Sequence, residues 1–295
     1  MRAQSRAGGF TILEVTLFLV ITIGLFAIAY GAFQGQQQRT QFTQSVRDLE
    51  QKIQDVANDV ATGYFPNTQD FKCVSNPLTG PTFTNATGGN TLGTNEECIF
   101  VGRVIHFGRN ISGECEHPIS DTSHCDEIDI YTLAGNRKKN SGALAQVDVE
   151  SLAEAKPRVV RNPTAPLGPI DITDHYPTKY GIKITEVFRR GDITKAPMAL
   201  GFIANFSGGS GLTVTGSYTT DIKRLAGVNL GTTQDNVISN IESNISTAPS
   251  GVAEGIIICM DGEYDNQVGA IIIGSNGSSL STQSVFNDQA EAEGC

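Results

Sequence analysis

The sequence predicts an α+β protein in which a long N-terminal helix packs on an antiparallel β-sheet head that carries disulfides. The first observation is an apolar run from Phe10 to Phe33. The second is a helical spacing of apolar residues that continues beyond that run. The third is a change, from Pro66 onward, to short alternating segments separated by turn residues, the pattern of strands and loops.

The first element is long enough to cross a membrane. Phe10–Phe33 contains 24 residues, 18 of them apolar, and no Lys or Arg occurs between Arg6 and Arg39. At about 1.5 Å per residue, a helix of this length spans roughly 36 Å, against about 30 Å for a bilayer core. The basic residues before the run predict a cytoplasmic N-terminus and an exported head, in a chain with a single span.

Glu14 is the feature of this run that needs an explanation. A carboxylate at the bilayer centre costs roughly 2.5–3.5 kcal/mol, so it calls for a partner and a role. A secretory signal peptide cleaved after the small-residue triplet Ala27-Ile28-Ala29 is one interpretation, and an uncleaved anchor is another. Both leave Glu14 without a role.

The run Gly9-Phe10-Thr11-Ile12-Leu13-Glu14, followed by an apolar helix, resembles the leader of type IV prepilins and pseudopilins. The resemblance implies that residues 1–9 are a class III leader, which a membrane-embedded prepilin peptidase removes between Gly9 and Phe10. The same enzyme would then N-methylate Phe10. Glu14 would be the fifth residue of the mature chain, where this family has its acid.

The resemblance also implies a mode of assembly. Segment 10–33 would form the filament core by apolar packing between subunits, and Glu14 would meet the Phe10 amine of its own or an adjoining subunit. The partners would be other pilin subunits, the lipid bilayer, a membrane assembly platform and a motor ATPase. The residues expected to pack in the core are Ile12, Leu13, Leu17, Phe18, Ile21 and Leu25.

The sequence leaves the kind of filament open. Major pilin, minor pilin and secretion pseudopilin all remain, as do roles in adhesion, motility, DNA uptake and secretion, in a cell-surface pilus or a periplasm-spanning pseudopilus. The alternative from another class is a secreted or membrane-anchored binding domain or enzyme released by cleavage after Ala29.

Segment 34–65 predicts an amphipathic continuation of the same helix. Its apolar residues are spaced 4, 3, 4, 3 and 4 apart, and Gly63 and Pro66 form a stop signal. Either a short coiled coil or a helix lying along the head would use this stripe, and the resemblance favours the second. Gly24, Gly31 and Gly35 mark the expected place for bending or local unwinding. The stripe consists of Phe42, Val46, Leu49, Ile53, Val56 and Val60.

Segment 66–295 predicts the β-rich head, with one helix at Asn236–Ile245 and a hairpin closed by Asp261–Asn266. The stretch 157–177 holds five of the 11 prolines. It reads either as a domain linker or as one long loop within a single head, and we favour the loop because each half alone has few strands. The predicted strands are Cys98–Phe107, Asp126–Leu133, Tyr180–Phe188, Met198–Phe206, Leu212–Asp221, Gly255–Met260 and Val268–Gly274.

All six cysteines follow the membrane segment, which predicts disulfides in an oxidising compartment. Six cysteines allow fifteen connectivities, among which we expect nearest neighbours to pair. A bond from Cys259 to the last residue, Cys295, would resemble the C-terminal disulfide-bounded loop of many pilins. The three expected pairs are Cys73–Cys98, Cys115–Cys125 and Cys259–Cys295.

The sequence predicts neither a cofactor nor an enzyme. Cys115, His117, His124 and Cys125 match no zinc spacing and favour a disulfide beside two solvated histidines. No nucleophile-elbow, P-loop, dinucleotide-binding or zinc-protease motif occurs. A net charge of −10 disfavours nucleic-acid binding.

No metal site is predicted either. One acidic run alternates like a calcium loop, but Asn266 stands where an EF-hand needs glycine. Some pseudopilins bind calcium in a C-terminal loop, so calcium binding by this acidic run remains a secondary expectation. Its candidate ligands are Asp261, Glu263 and Asp265.

Overall fold

The computed structural model describes residues 11–63, 71–85, 97–107, 127–141, 145–160, 174–191, 198–204, 220–226, 234–248, 255–262, 267–276 and 279–295. These residues form two compact units whose boundary falls between Gln44 and Ser45, inside a helix. Leader residues 1–9, Phe10, Cys115, Cys125, Glu263 and Asp265 lie outside the described part of the chain.

Four helices occur in the described residues. The first runs without interruption through Gly24, Gly31 and Gly35, so unwinding there stays a prediction about an assembled filament. It ends as predicted, because Gly63 adopts a φ of 68° and donates its N–H to the carbonyl of Val60. The helices are α1 (Ile12–Thr62), α2 (Leu152–Ala155), α3 (Gln234–Asn244) and α4 (Asp288–Ala292).

The described strands pair antiparallel throughout. They are β1 (Phe71–Val74), β2 (Thr82–Asn85), β3 (Cys98–Phe107), β4 (Glu127–Asn136), β5 (Lys138–Ser141), β6 (Ala145–Asp148), β7 (Arg158–Val159), β8 (Asp174–Pro177), β9 (Lys183–Arg189), β10 (Met198–Ala204), β11 (Thr220–Ala226), β12 (Ile256–Asp261), β13 (Val268–Asn276) and β14 (Ser279–Phe286).

Two larger sheets dominate the head. The six-stranded sheet has the order β11-β10-β3-β4-β7, with β8 also paired to β4. The four-stranded sheet has the order β14-β13-β12-β9, and β1-β2 and β5-β6 are separate hairpins. Strands on both sides of the proline-rich stretch 157–177 share the six-stranded sheet, and the two ends of that stretch are themselves strands β7 and β8.

The six-stranded sheet is buried on both faces. On one face, side chains of β3, β4 and β10 form an apolar cluster with α3, in which Ile245 lies so close to Gly201 that a Cβ there would be 2.7 Å from its Cδ1. The other face carries Arg103, Ile105 and Phe202 by strand alternation, and Arg103 contacts α1. The sheet thus lies between two helices.

One predicted strand begins in the wrong place. Tyr180–Ile182 was expected to be extended, but Tyr180 and Gly181 adopt φ of 56° and 69° and form a turn, so β9 begins at Lys183. Positive φ at two successive residues reverses the chain and cannot continue a strand. The strand predicted over Leu212–Asp221 is described from Thr220 and extends beyond its predicted end to Ala226.

Candidate membrane and assembly helix

The first part of α1 presents an apolar surface. It is the single helix in the described residues that is long and apolar enough to cross a membrane, and none of its most apolar window is buried within the protein. All six residues predicted to pack in a filament core are more than half exposed, from 53% for Ile21 to 87% for Ile12. Such a continuous exposed apolar surface requires a lipid or protein environment.

Glu14 is held by Thr11, the residue directly before the start of α1. Its Oε2 accepts hydrogen bonds from the backbone N–H and from Oγ1 of Thr11, both at 3.0 Å. The Thr11 hydroxyl in turn accepts from the backbone N–H of Glu14 at 3.4 Å. This reciprocal arrangement is a capping box, and it turns the carboxylate back toward the helix N-terminus.

This capping box was not among the features predicted from the sequence, although its signature is present there. The T-x-x-E pattern of Thr11 and Glu14 directly precedes the rest of the apolar run. Because the helix N-terminus leaves backbone N–H groups without partners, a carboxylate there is more favourable than in mid-membrane. The capping box gives Glu14 a partner within its own helix. The expected pairing of Glu14 with a Phe10 amine stays a prediction.

The second part of α1 buries the predicted stripe. Phe42, Val46, Leu49, Ile53, Val56 and Val60 are each 6% exposed or less. From Ser45 onward, this stripe belongs to the same compact unit as the sheets. The apolar spacing therefore identified the buried face of this half of the helix.

Polar contacts flank the stripe and join α1 to the six-stranded sheet. Arg103 Nη1 of β3 lies 2.8 Å from Asp59 Oδ2, and Lys52 Nζ lies 2.6 Å from Asp174 Oδ2 of β8. Burial raises the pKa of Asp59, an effect that the nearby Arg103 guanidinium opposes. The guanidinium is nearly buried, so the charge of Asp59 is its main compensation.

The turn between β8 and β9 makes a second set of contacts with α1. Ser45 donates its hydroxyl to the carbonyl of Lys179 at 2.5 Å, and Lys179 Nζ lies 2.8 Å from Asp48 Oδ2. Tyr176 donates its hydroxyl to the same carboxylate. Two hydrogen bonds hold the pKa of Asp48 below its usual value, the one from Lys179 with the larger effect and the one from Tyr176 with the smaller.

The four-stranded sheet contacts the same half of α1. Gln54 donates its side-chain amide to the hydroxyl of Thr282 in β14, and that hydroxyl lies 3.1 Å from Glu50 Oε1. Residues Ser45–Thr62 of α1 therefore join both sheets of the head. The sequence predicted that this segment lies along a sheet but could not predict its partners, because they are distant in sequence.

Two disulfides join the predicted nearest neighbours. Cys73 bonds Cys98, and Cys259 bonds Cys295 across a sequence separation of 36. The second bond ties Cys295 to β12, on the sheet face opposite Thr282 by strand alternation. The expected Cys115–Cys125 pair lies outside the described residues.

The described residues contain no cluster of histidine, cysteine or acidic side chains that could hold a metal ion. Of the calcium candidates, Asp261 ends β12 and pairs with Val268 across the predicted hairpin, while Glu263 and Asp265 lie outside the described residues. No family model matches the chain, and neither does any curated protein or solved structure.

Proposed function

We propose that this chain is the precursor of a type IV pilin-like filament subunit. Its N-terminal helix anchors the head outside the cytoplasmic membrane until cleavage at Gly9–Phe10 and methylation of Phe10, and then packs into the core of a pilus or pseudopilus. A platform protein and a motor ATPase act in trans. The head forms the filament surface and needs neither a cofactor nor a catalytic site.

The observation that carries this proposal is the placement of Glu14. It is the only charged residue between Arg6 and Arg39, it follows the expected cleavage site by five residues, and its carboxylate is turned toward the helix N-terminus by Thr11. A cleaved chain would carry an amine at Phe10, which is largely protonated at neutral pH. A carboxylate directed toward that end is oriented to pair with such an amine.

The construction of α1 gives independent support. One continuous helix has an exposed apolar surface before Phe33 and a buried stripe after Ser45 that is joined to two antiparallel sheets. A secretory signal peptide would be discarded and would not need to share one helix with the head. Cleavage after Ala29 would cut this helix within its exposed apolar part and leave Tyr30 and Phe33 attached to the head.

Sequencing the mature N-terminus tests the proposal. The chain is expressed in a bacterial host that supplies a prepilin peptidase, and the membrane-extracted protein is analysed by Edman degradation and mass spectrometry. We expect methylated Phe10 as the first residue. Tyr30 as the first residue would establish signal-peptide cleavage and overturn the proposal.

A matched pair of glycine variants sharpens the result. Gly9→Val places a branched side chain next to the bulky Phe10 at the expected cut, so the full-length form should accumulate in the membrane. Gly8→Val introduces the same side chain one residue earlier and should be processed. Normal processing of Gly9→Val would remove the basis for the leader assignment.

A further inference from the structure

Strand β8 is an edge element that is held on both of its faces. It pairs with β4 over four residues, Asp174–Pro177. On one face, Asp174 and Tyr176 contact Lys52 and Asp48 of α1. On the other face is His175, which strand alternation turns away from α1. The strand therefore connects the six-stranded sheet to the helix.

The contact on the second face is made by a buried carboxylate. His175 Nδ1 lies 2.5 Å from Asp129 Oδ1 of β4, and the side chain of Asp129 is 3% exposed. The hydroxyl of Tyr131 donates to the other oxygen, Oδ2, at 3.3 Å. The carboxylate of Asp129 thus adds a charged side-chain contact to the backbone pairing of β8 with β4.

A second imidazole, on the adjacent strand β3, belongs to the register partner of Asp129. His106 of β3 is the cross-strand neighbour of Asp129, on the face that α3 covers, and it is 2% exposed. Neither of its ring nitrogens has a hydrogen-bond partner among the described residues. A buried polar group without a partner is costly, and each one calls for an explanation.

By strand register, Asp129 is the charged residue nearest to His106. Its other cross-strand neighbour is Ala199 of β10, which belongs to the apolar cluster formed with α3. Asp129 is the group that electrostatically favours the protonated imidazole. The remaining titratable groups whose side chains the structure describes on the elements of this face are Tyr131, Glu154, His175, Lys223, Asp235 and Glu242, the last of which pairs with Arg158.

We propose that β8 is an acid-labile strap between the sheet and α1. A proton on His106 creates an imidazolium directly opposite Asp129, which competes with His175 for the carboxylate. Loss of the Asp129–His175 contact releases β8 from β4, and release of β8 loosens the contacts of Asp174 and Tyr176 with α1. Acidification thus weakens the attachment of the helix to the six-stranded sheet.

The direction of the pH dependence follows from burial. Burial lowers the pKa of His106 from 6.5 to about 4, while Asp129 partly opposes the shift. Between these two pKa values, the state in which β8 is released therefore binds more protons than the state in which β8 is paired with β4. Release of β8, called opening here, becomes more favourable as pH falls from 6.5 to 4. The largest increase in the opening constant is about 300-fold, the ratio given by the two pKa values.

The contacts that Asp48 makes on the helix side do not respond in this range. Because the pKa of Asp48 is held below its ordinary value, its carboxylate remains ionised while His106 titrates. The contacts of Asp48 with Tyr176 and Lys179 therefore loosen only as a consequence of a change on the sheet side of β8.

Hydrogen exchange on the full-length chain in detergent micelles tests this strap. Protection of the β8 amides, corrected for intrinsic exchange, is measured between pH 7 and 4. We expect a fall of up to about 300-fold in the wild type and no such fall in His106→Phe, which cannot take up the proton. Tyr176→Phe is the matched control, because losing the hydroxyl that contacts Asp48 should reduce protection equally at every pH.

An equal pH dependence in wild type and His106→Phe would overturn the proposal. A measurement on the unaltered chain covers the case in which that variant fails to fold. The ring protons of His106 are followed by NMR, and we expect a titration midpoint near 4. A midpoint at or above 6 would show an imidazole that is solvated or already paired, and would equally overturn the strap.

Discussion

The guanidinium of Arg103 lies 2.8 Å from the carboxylate of Asp59, joining β3, the central strand of the six-stranded sheet, to α1. The two residues are 44 positions apart and belong to different kinds of secondary structure. Because the guanidinium is only 9% exposed, it cannot regain solvation if its partner is lost. The pair therefore matters more than a surface ion pair would.

Replacing Asp59 by Asn should destabilise the head. Truncating one partner of a buried ion pair costs about 3–5 kcal/mol, and the 32% exposure of Asp59 reduces the expected loss to about 1–3 kcal/mol. Urea denaturation of the full-length chain in detergent measures it. Asp55→Asn, an exposed carboxylate on the same helix, is the control and should change stability by less than about 0.5 kcal/mol. Equal losses in the two variants would contradict the importance of the pair.

Replacing Glu14 by Val should block assembly while leaving insertion and cleavage intact. The cut site is unchanged, but the Phe10 amine would enter the apolar filament core without a carboxylate partner. Glu14→Asp, with a shorter reach, should assemble partially. Electron-microscopic counts of filaments, together with membrane fractionation, measure these outcomes.

Thr16→Val is the matched control for Glu14, because among the described residues the Thr16 hydroxyl donates only to carbonyls of its own helix, those of Ile12 and Leu13. It should assemble like the wild type. Filament numbers for Glu14→Val equal to those of the wild type would mean that Glu14 does no more than cap the helix.

Removing the Cys259–Cys295 bond should lower the stability of the head by about 3–4 kcal/mol, as expected for a loop of 36 residues. The reason is that the unfolded chain regains the conformational freedom of the loop that this bond closes. Thermal unfolding of Cys295→Ser is compared with that of the wild type. The two stabilities should converge under reducing conditions that break this bond alone, and non-reducing peptide mapping should recover the 259–295 link.

Replacing Gly102 by Ala should destabilise the six-stranded sheet by more than 1 kcal/mol. Gly102 has a φ of +154° at a bulge between β3 and β4, and a Cβ there would lie 2.1 Å from the carbonyl oxygen of Phe202. The sheet must shift to relieve this clash with backbone. Gly191→Ala is the control, since Gly191 also has positive φ, +86°, but has no atom within 4 Å of its Cβ position. The clash is unimportant if both variants lose the same stability in chemical denaturation.

The elements that the sequence predicted well are those whose apolar pattern is complete within the segment. β3 begins at Cys98 and ends at Phe107, as its pattern predicts. Helix α3 was also predicted, and it begins two residues before its predicted start. The helical spacing likewise identified the buried face of α1 through Val60. In these cases the residues that form the element also state which side is buried.

The elements that the sequence missed are short or polar. β8 consists of Asp174-His175-Tyr176-Pro177, and β14 begins with Ser279-Leu280-Ser281-Thr282. Neither has the alternating apolar residues that predict a strand. Both are edge strands whose pairing with β4 or β13 supplies the hydrogen bonds, so their extended structure depends on a neighbour that is remote in sequence.

Sequence alone determined the membrane-length helix, its amphipathic continuation and the α+β class, whereas the cysteine pairs were an expectation that the structure bears out for Cys73–Cys98 and Cys259–Cys295. These features depend on local periodicity, on length, and on the order of residues along the chain. Tertiary structure alone decided that Asp59 meets Arg103, that Asp48 is shared by Tyr176 and Lys179, and that His106 faces Asp129 without a hydrogen-bond partner. Those contacts exist only after distant strands pair, because burial and charge at each residue are set by neighbours that no local pattern names.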